Sequence, residues 1–265
     1  MWDFEHAPRN SELLQRYQLH YTLPSRCADE LLAGRADLGL IPIASLTPEL
    51  AIVPGSTISS LDRVRSIQMI VKKPHTLGSI RTLAADNASR SSRAYTELIL
   101  RRFYSNSPNF VTQSANPVAM LEQADAALLI GDPALLALER REEIEQAAGP
   151  CEWFDISHEW HLLTGMPWVA AVWAARPEVI AEGRISASQL VDDLTQSRDQ
   201  GLAHIEDLVA EWSTHIALST ETIRHYFTQN IHYTLTPECI EAIRLFRNYA
   251  AEEGVLPPLD APRFL

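Results

Sequence analysis

Two apolar runs, at residues 64–71 and 168–175, constrain the fold of this chain more than any other feature. Each has the length and the β-branched or small apolar residues of a buried strand. A stretch of alternating strand and helix patterns, long enough to form a unit of its own, lies between them. The pattern predicts that the chain leaves one lobe along the first strand and returns along the second. A ligand cleft is then expected between the lobes.

We therefore predict an α/β fold of two lobes with a helical C-terminal segment. Lobe 1 would comprise residues 1–68 and 171–265, and lobe 2 would comprise residues 69–170. From about residue 177 onward the pattern is helical. Because strands and helices alternate before that point, we expect parallel pairing to dominate the sheets.

Shorter apolar runs predict the remaining strands. A strand at residues 50–53 is expected to end at Pro54-Gly55, since proline and glycine interrupt regular pairing. The other predicted strands are residues 36–42, 80–85 and 124–130.

A polar, hydroxyl-rich turn follows the run at residues 80–85, and a helix is predicted from about Ser91 to Phe103. The first backbone N–H groups of a helix lack internal acceptors and carry partial positive charge, which favours an anion. Ser89, Ser92 and Arg90 add donors suited to a carboxylate. The alternative is that Ser89 or Ser91 only caps the helix and that Arg90 is solvated.

Composition limits the function of the chain. Its 22 basic and 34 acidic residues give a formal charge of −12. This balance argues against a nucleic-acid surface, and it requires local donors to hold any anion. No run approaches about 20 consecutive apolar residues, so we expect no membrane span. The N-terminus lacks the pattern of a secretory signal, and three distant cysteines predict neither a metal site nor a disulfide framework, so we expect a cytoplasmic protein.

Gly131, Asp132 and Pro133 open another predicted helix, with Asp132 as its N-cap and Pro133 as its first residue. Asp132 is a candidate polar contact or proton acceptor at the cleft. The capping role explains this residue equally well.

Four motifs that follow one another in order resemble the chorismate dehydratases of the futalosine route to menaquinone. The similarity covers most of residues 24–176. The motifs are DLGLIP at residues 37–42, SRSS at 89–92, DAALLIGD at 125–132, and TGMPWV at 164–169 followed by AVW at 171–173.

The resemblance implies the two-lobed fold of type II periplasmic binding proteins and the dehydration of chorismate to 3-[(1-carboxyvinyl)oxy]benzoate. The substrate is a small dianion, no metal or organic cofactor is implied, and a homodimer is one expected assembly. Family members usually carry a further strand and an Asn-containing loop before a segment like residues 1–6. We therefore expect this chain to lack that strand and its share of the site, either through a truncated start or because the protein has none.

The resemblance also implies roles for particular residues. Ser91, Ser92 and the amides behind them would bind the ring carboxylate, with Ser89 and Arg90 as supports. The general base is not assigned, and the enolpyruvyl carboxylate of the substrate is one hypothesis for it. Further candidate contacts, for each of which a capping, turn or surface role is the alternative, are Ser45, Ser66, Gly131, Asp132, Thr164 and Gly165.

Two other functions remain open from the sequence. One is a non-catalytic protein of the same fold that binds small anions. The other is the sister naphthoate synthase of the same pathway, which carries a His-Glu pair near the position of Gly131 and Asp132. The absence of histidine there favours the dehydratase.

Overall fold

The structure is a computed structural model that describes residues 1–86 and 90–265, and its strands form two five-stranded sheets. Sheet 1 contains β1 (Leu38–Pro42), β2 (Ala51–Ser60), β8 (Trp168–Ala175), β9 (His232–Thr234) and β10 (Arg263–Phe264). Sheet 2 contains β3 (Ile67–Lys72), β4 (Thr82–Asp86), β5 (Asn109–Gln113), β6 (Ala126–Ile130) and β7 (Cys151–Asp155). The chain leaves sheet 1 after β2 and returns with β8, as the two apolar runs predict.

Helices cover both sheets and form most of the chain after β8. Two short turns complete the regular structure, a 3₁₀ turn at Ile43–Ser45 and a π turn at Tyr226–Asn230. The helices are α1 (Trp2–Glu5), α2 (Asn10–Arg16), α3 (Pro24–Leu32), α4 (Arg90–Tyr104), α5 (Pro117–Gln123), α6 (Asp132–Glu139), α7 (Arg141–Ala148), α8 (Ile156–Thr164), α9 (Pro177–Ala181), α10 (Ala187–Ala203), α11 (Ile205–Trp212), α12 (Thr220–His225) and α13 (Pro237–Glu252). None of the helices described here is long and apolar enough to cross a membrane.

The expectation of mostly parallel pairing is wrong. Sheet 1 has the order β1-β8-β2-β10, with β9 paired to β2, and sheet 2 has the order β5-β4-β6-β3-β7. In the described residues, only β4 with β5, β4 with β6 and β2 with β10 pair in parallel. The two crossings explain this result. Because β3 and β8 enter their sheets from the other sheet, each starts where its neighbours end and runs antiparallel to them.

The prediction that the second strand ends at Pro54-Gly55 is also wrong, since β2 continues to Ser60. The register against β8 shifts between Ile52 and Thr57, so a bulge accommodates the two residues within the strand. Gly55 has a φ of +97°, and a Cβ there would lie 2.6 Å from the Thr195 hydroxyl oxygen. Glycine therefore allows α10 to pack closely on the bulge.

The division into lobes at residues 68 and 171 stays a proposal. These positions fall inside β3 and β8, which begin at Ile67 and Trp168.

One aromatic cluster joins the two sheets through α4. Tyr95 of α4 is fully buried and stacks on Phe246 of α13, with ring centroids 4.0 Å apart. Trp160 of α8 meets the Tyr95 ring edge-on at 5.0 Å, and Trp168 of β8 lies 5.6 Å away. These rings belong to a hydrophobic core that contains residues of both sheets. The start of α4 is therefore held at the junction of the two sheets.

We expect Phe246→Ala to lower the free energy of unfolding by about 3–5 kcal/mol, because it removes a buried ring from this cluster. Leu162→Ala is a matched control on α8, where the side chain is 64% exposed, and it should change stability by less than about 0.5 kcal/mol. Urea denaturation measures both. Equal effects of the two substitutions would contradict the role given to the cluster.

Candidate functional site between the two sheets

Two helices begin at the same end of sheet 2. β4 and β6 are parallel neighbours, so both end on this side, and β3 starts there because Ile67 pairs with Ile130. α4 follows β4 and α6 follows β6. We call this the site end of sheet 2. The positive ends of two helix dipoles therefore lie at one end of sheet 2, an arrangement that favours a bound anion.

Sheet 1 contributes a turn that contacts the start of α4. β1 ends at Pro42 and continues into Ile43–Ser45. The Ser91 hydroxyl of α4 donates a hydrogen bond to the Ala170 carbonyl of β8 at 2.9 Å and accepts one from the Ala44 amide at 3.4 Å. The site end of sheet 2 therefore lies directly against sheet 1.

The predicted anion turn is only partly free to bind a ligand. Ser91 is 6% exposed, and its hydroxyl already has the two partners given above. Ser92 is equally buried, and its hydroxyl has no hydrogen-bond partner within residues 1–86 and 90–265. Ser89 lies outside the described residues. Of the predicted serines that the structure describes here, Ser92 has the available hydroxyl group.

The Arg90 side chain is 41% exposed to solvent and is also paired with a carboxylate. Its guanidinium donates two hydrogen bonds to Asp29 of α3, at 3.0 and 2.9 Å, and a longer one of 3.4 Å to the Ser45 hydroxyl. The hydrogen bond from Arg90 lowers the pKa of the Asp29 carboxyl. Arg90 and Ser45 thus face each other, and an anion binding to Arg90 has to compete with Asp29.

Gly131 and Ser66 meet at the site end of sheet 2. The Gly131 amide donates to the Ser66 carbonyl at 2.7 Å. The prediction that Asp132 caps α6 is wrong, because Gly131 occupies the N-cap position with a φ of +63° and Asp132 is the first helical residue. The exposed Asp132 side chain makes no capping bond. Its carboxylate therefore remains available beside Ser66 and Gly131.

Tyr226 is a site residue that sequence reasoning missed. It lies in the π turn, and its hydroxyl donates to the Ser66 hydroxyl oxygen at 3.0 Å. Burial raises the pKa of the Tyr226 phenol, and the negative charges of Asp132 and Asp155 act in the same direction. The sequence around Tyr226 predicts aromatic packing only, although a π turn is often found at functional sites.

A small apolar pocket of about 120 Å³ opens next to this group, between α6 and the α11–α12 region. Leu135 and Trp212 are among its apolar walls, and Asp132 and Tyr226 also line it. The pocket thus shares Tyr226 with the Ser66–Tyr226 pair.

Several buried polar atoms lie where the chain crosses between the sheets. Ser60 at the end of β2 is the register partner of Trp168 at the start of β8, and the Ser60 hydroxyl and the Trp168 indole N–H lack partners in the described residues. The His232 Nε2 atom, in the strand that pairs with Ser59, is also unpaired there. Buried polar atoms without partners in the protein are open to a ligand or to water.

Asp155 fixes the segment that carries Ser66. Its carboxylate accepts hydrogen bonds from the backbone amides of Arg65 at 2.7 Å, Ser157 at 3.0 Å and His158 at 3.2 Å. It thereby caps α8 and holds Arg65, whose φ is +62°. Burial raises the pKa of this carboxyl, against the effect of the amides.

Thr164 and Gly165 complete the end of α8. The Thr164 hydroxyl donates to the Trp160 carbonyl at 2.7 Å and accepts from the Met166 amide at 3.2 Å. Gly165 is the left-handed C-cap, with a φ of +71°. No hydrogen bond within residues 1–86 and 90–265 joins either residue to Ser66 or Ser91. The same part of the chain holds no group of three His, Cys, Asp or Glu side chains suited to a metal ion.

We expect Asp155→Ala to lower the free energy of unfolding by about 2–4 kcal/mol, because it removes a helix cap and leaves buried amides without an acceptor. Asp155→Asn should recover part of this loss, since an amide oxygen still accepts. Asp62→Ala, which changes a more exposed carboxylate of the same crossing, should cost less than about 1 kcal/mol. Thermal and urea unfolding measure all three, and equal losses for Asp62 and Asp155 would contradict the anchoring role.

Comparison with known proteins identifies the family. The chain matches the model of a family described as menaquinone biosynthesis over residues 2–252. It is 25% identical over 235 residues to a chorismate dehydratase of Thermus thermophilus, a match that covers 84% of this chain and 82% of that protein. These matches confirm the resemblance found in the sequence.

Solved structures show the same fold. A protein of Archaeoglobus fulgidus has a TM-score of 0.65 at 13% identity, over 91% of this chain and 87% of that one. A Candida albicans gene product, described as having the generic periplasmic binding protein fold, has a TM-score of 0.60 at 13% identity, over 91% and 81%. The periplasmic aliphatic sulphonate binding protein of Escherichia coli has a TM-score of 0.58 at 14% identity, over 97% and 88%. The chain thus has a periplasmic-binding-protein-like fold, and it belongs to the menaquinone biosynthesis family.

Proposed function

We propose that this protein is a hydro-lyase that converts chorismate to 3-[(1-carboxyvinyl)oxy]benzoate and water. The observation that carries the proposal is that two helices, α4 and α6, start at the site end of sheet 2. Membership of the menaquinone biosynthesis family and a relative named chorismate dehydratase support this choice of substrate. A cytoplasmic location is part of the same proposal.

The reaction needs a fixed set of donors around one carboxylate. A proton leaves the ring carbon that bears the enolpyruvyl ether, and hydroxide leaves the neighbouring carbon. Negative charge spreads through the diene into the ring carboxylate as the proton leaves. Donors already in place around that carboxylate therefore stabilise the transition state as well as the bound substrate.

We assign this role to the Ser92 hydroxyl and the first amides of α4. Ser92 is buried, and its hydroxyl has no partner in the described part of the chain. Arg90 supplies a guanidinium to the same carboxylate when the anion competes successfully with Asp29. Ser91 has a different part, since its two hydrogen bonds hold α4 on sheet 1.

Asp132 and the substrate itself remain the candidates for the base. The finding that Asp132 does not cap α6 supports a role in the site. The enolpyruvyl carboxylate of the substrate is the second hypothesis. The sister naphthoate synthase uses an imidazole near this position, and Gly131-Asp132 offers none.

The test is to incubate the purified protein with chorismate and to follow the product by mass and by its aromatic absorption. We expect a loss of 18 mass units, which is the mass of one water molecule, at a rate proportional to the protein concentration. Heat-denatured protein is the control. Saturable binding of chorismate without a change of mass would contradict the proposal and support a non-catalytic anion-binding protein. Failure to bind or to convert chorismate would also contradict it.

Ser92→Ala tests the assigned carboxylate donor. We expect kcat/KM to fall about 10-fold to 100-fold, because a hydrogen bond to a charged group is worth about 1.5–3 kcal/mol. Its melting temperature should stay close to that of the wild type, since this hydroxyl has no described protein partner. Ser91→Ala is the matched comparison, and it should lower the melting temperature because it removes contacts to sheet 1. Unchanged kinetics for Ser92→Ala would contradict the assignment.

A further inference from the structure

The phenol of Tyr226, which lies in the C-terminal helical region, forms a hydrogen bond with Ser66, which lies in the segment that crosses between the sheets. Tyr226 lies in the π turn that follows α12, whereas Ser66 comes directly before β3. The hydroxyl groups of these residues are 3.0 Å apart, although 160 positions of sequence separate them. Ser66 is only 6% exposed, so the pair is largely shielded from bulk water.

The chemistry of the two hydroxyl groups determines which one donates the hydrogen bond and which one accepts it. Burial and the nearby charges of Asp132 and Asp155 raise the pKa of the Tyr226 phenol, so it stays protonated at neutral pH and acts as a donor. A serine hydroxyl has one proton to donate and two lone pairs that accept. Because the Ser66 hydroxyl oxygen accepts a hydrogen bond from Tyr226, the proton of the Ser66 hydroxyl points away from Tyr226. This proton has no acceptor within residues 1–86 and 90–265.

The backbone of Ser66 is also fixed. Its amide donates to the Val64 carbonyl at 2.8 Å, and its carbonyl accepts from the Gly131 amide at 2.7 Å. Asp155 holds the preceding Arg65 amide. The Ser66 hydroxyl is thus a preorganised donor beside the start of α6.

We propose that Tyr226 is a positioning residue that directs the Ser66 hydroxyl toward the oxygen that leaves the substrate. This inference rests on the proposed function. The electron pair of the broken C–H bond forms the new ring double bond, and the C–O bond breaks with its pair on oxygen. The departing hydroxide and the proton taken from carbon together make the water. A donor set in advance stabilises the charge that grows on the oxygen.

Electrostatics favour this orientation of the substrate. The carboxylate of Asp132 repels the two carboxylates of chorismate, but it does not repel a neutral hydroxyl group. The start of α4 carries the donors suited to a carboxylate. The hydroxyl group of the substrate therefore faces Ser66 and Tyr226, and the ring carboxylate faces Ser92.

Tyr226→Phe tests the inference because it removes only the phenol oxygen. We expect kcat for chorismate to fall about 10-fold to 100-fold, with KM changed less than about threefold. Tyr233→Phe is the matched control, since this half-buried phenol in β9 has no hydrogen-bond partner in the described residues, and it should keep the wild-type kcat. Ser66→Ala should lower kcat at least as much. Adding Tyr226→Phe to Ser66→Ala should change little further, because both act through one hydrogen bond.

A substrate with a less basic leaving group separates positioning from a general structural effect. In a chorismate analogue with fluoride in place of the departing hydroxyl, the loss caused by Tyr226→Phe should shrink to less than about threefold. Equal losses on both substrates, or equal kcat values for the Tyr226 and Tyr233 variants, would overturn the inference while leaving the proposed function standing. Wild-type protein that converts neither compound would instead overturn the proposed function, and this role with it.

Discussion

The packing of Tyr95 against Phe246, Trp160 and Trp168 is the interaction on which the rest of the structure depends. These rings come from α4, α13, α8 and β8, so one buried cluster ties a strand of sheet 1 and the C-terminal helix α13 to two helices that follow strands of sheet 2. Because Tyr95 lies in the second turn of α4, the cluster also holds the N-terminal part of that helix in place. The two hydrogen bonds of Ser91 then hold the helix start against sheet 1.

The two crossings of the chain explain why a site forms at this place. β3 starts where β4 and β6 end, so the crossing segment, two helix N-termini and the 43–45 turn converge. Asp155 holds one crossing through backbone amides. The resulting site has donors on the α4 side. On the α6 side it has the carboxylate of Asp132, which makes no capping bond. Because of this asymmetry, a substrate with carboxylates and a hydroxyl group has a preferred orientation in the site.

The sequence predicts correctly those elements that local residue patterns specify. The strand at Trp168–Ala175 and the start of α4 are confirmed, because apolar runs and helix-start residues specify them directly. Local signals place the end of β2 too early, because a bulge accommodates Pro54 and Gly55 within the strand and this bulge depends on packing against α10. The prediction that Asp132 caps α6 is wrong because Gly131 takes the N-cap position with a positive φ, and this conformation depends on the folded turn.

The contacts that define the site are mostly distant in sequence, and no spacing rule exposes them. The sequence indicates that Arg90 is a donor, but its pairing with Asp29 depends on how α3 and α4 pack together. Tyr226 sits in a run of aromatic and basic residues that predicts packing equally well. Only the fold brings it to Ser66.

The most direct test of the central claim is to record the backbone amide resonances of isotope-labelled protein while chorismate is added. If the two helix starts hold the dianion, the amides of Ser91, Ser92 and Asp132 shift and saturate together, with a single dissociation constant. Shifts confined to the apolar pocket around Trp212, with the amides of α4 unchanged, would contradict the account.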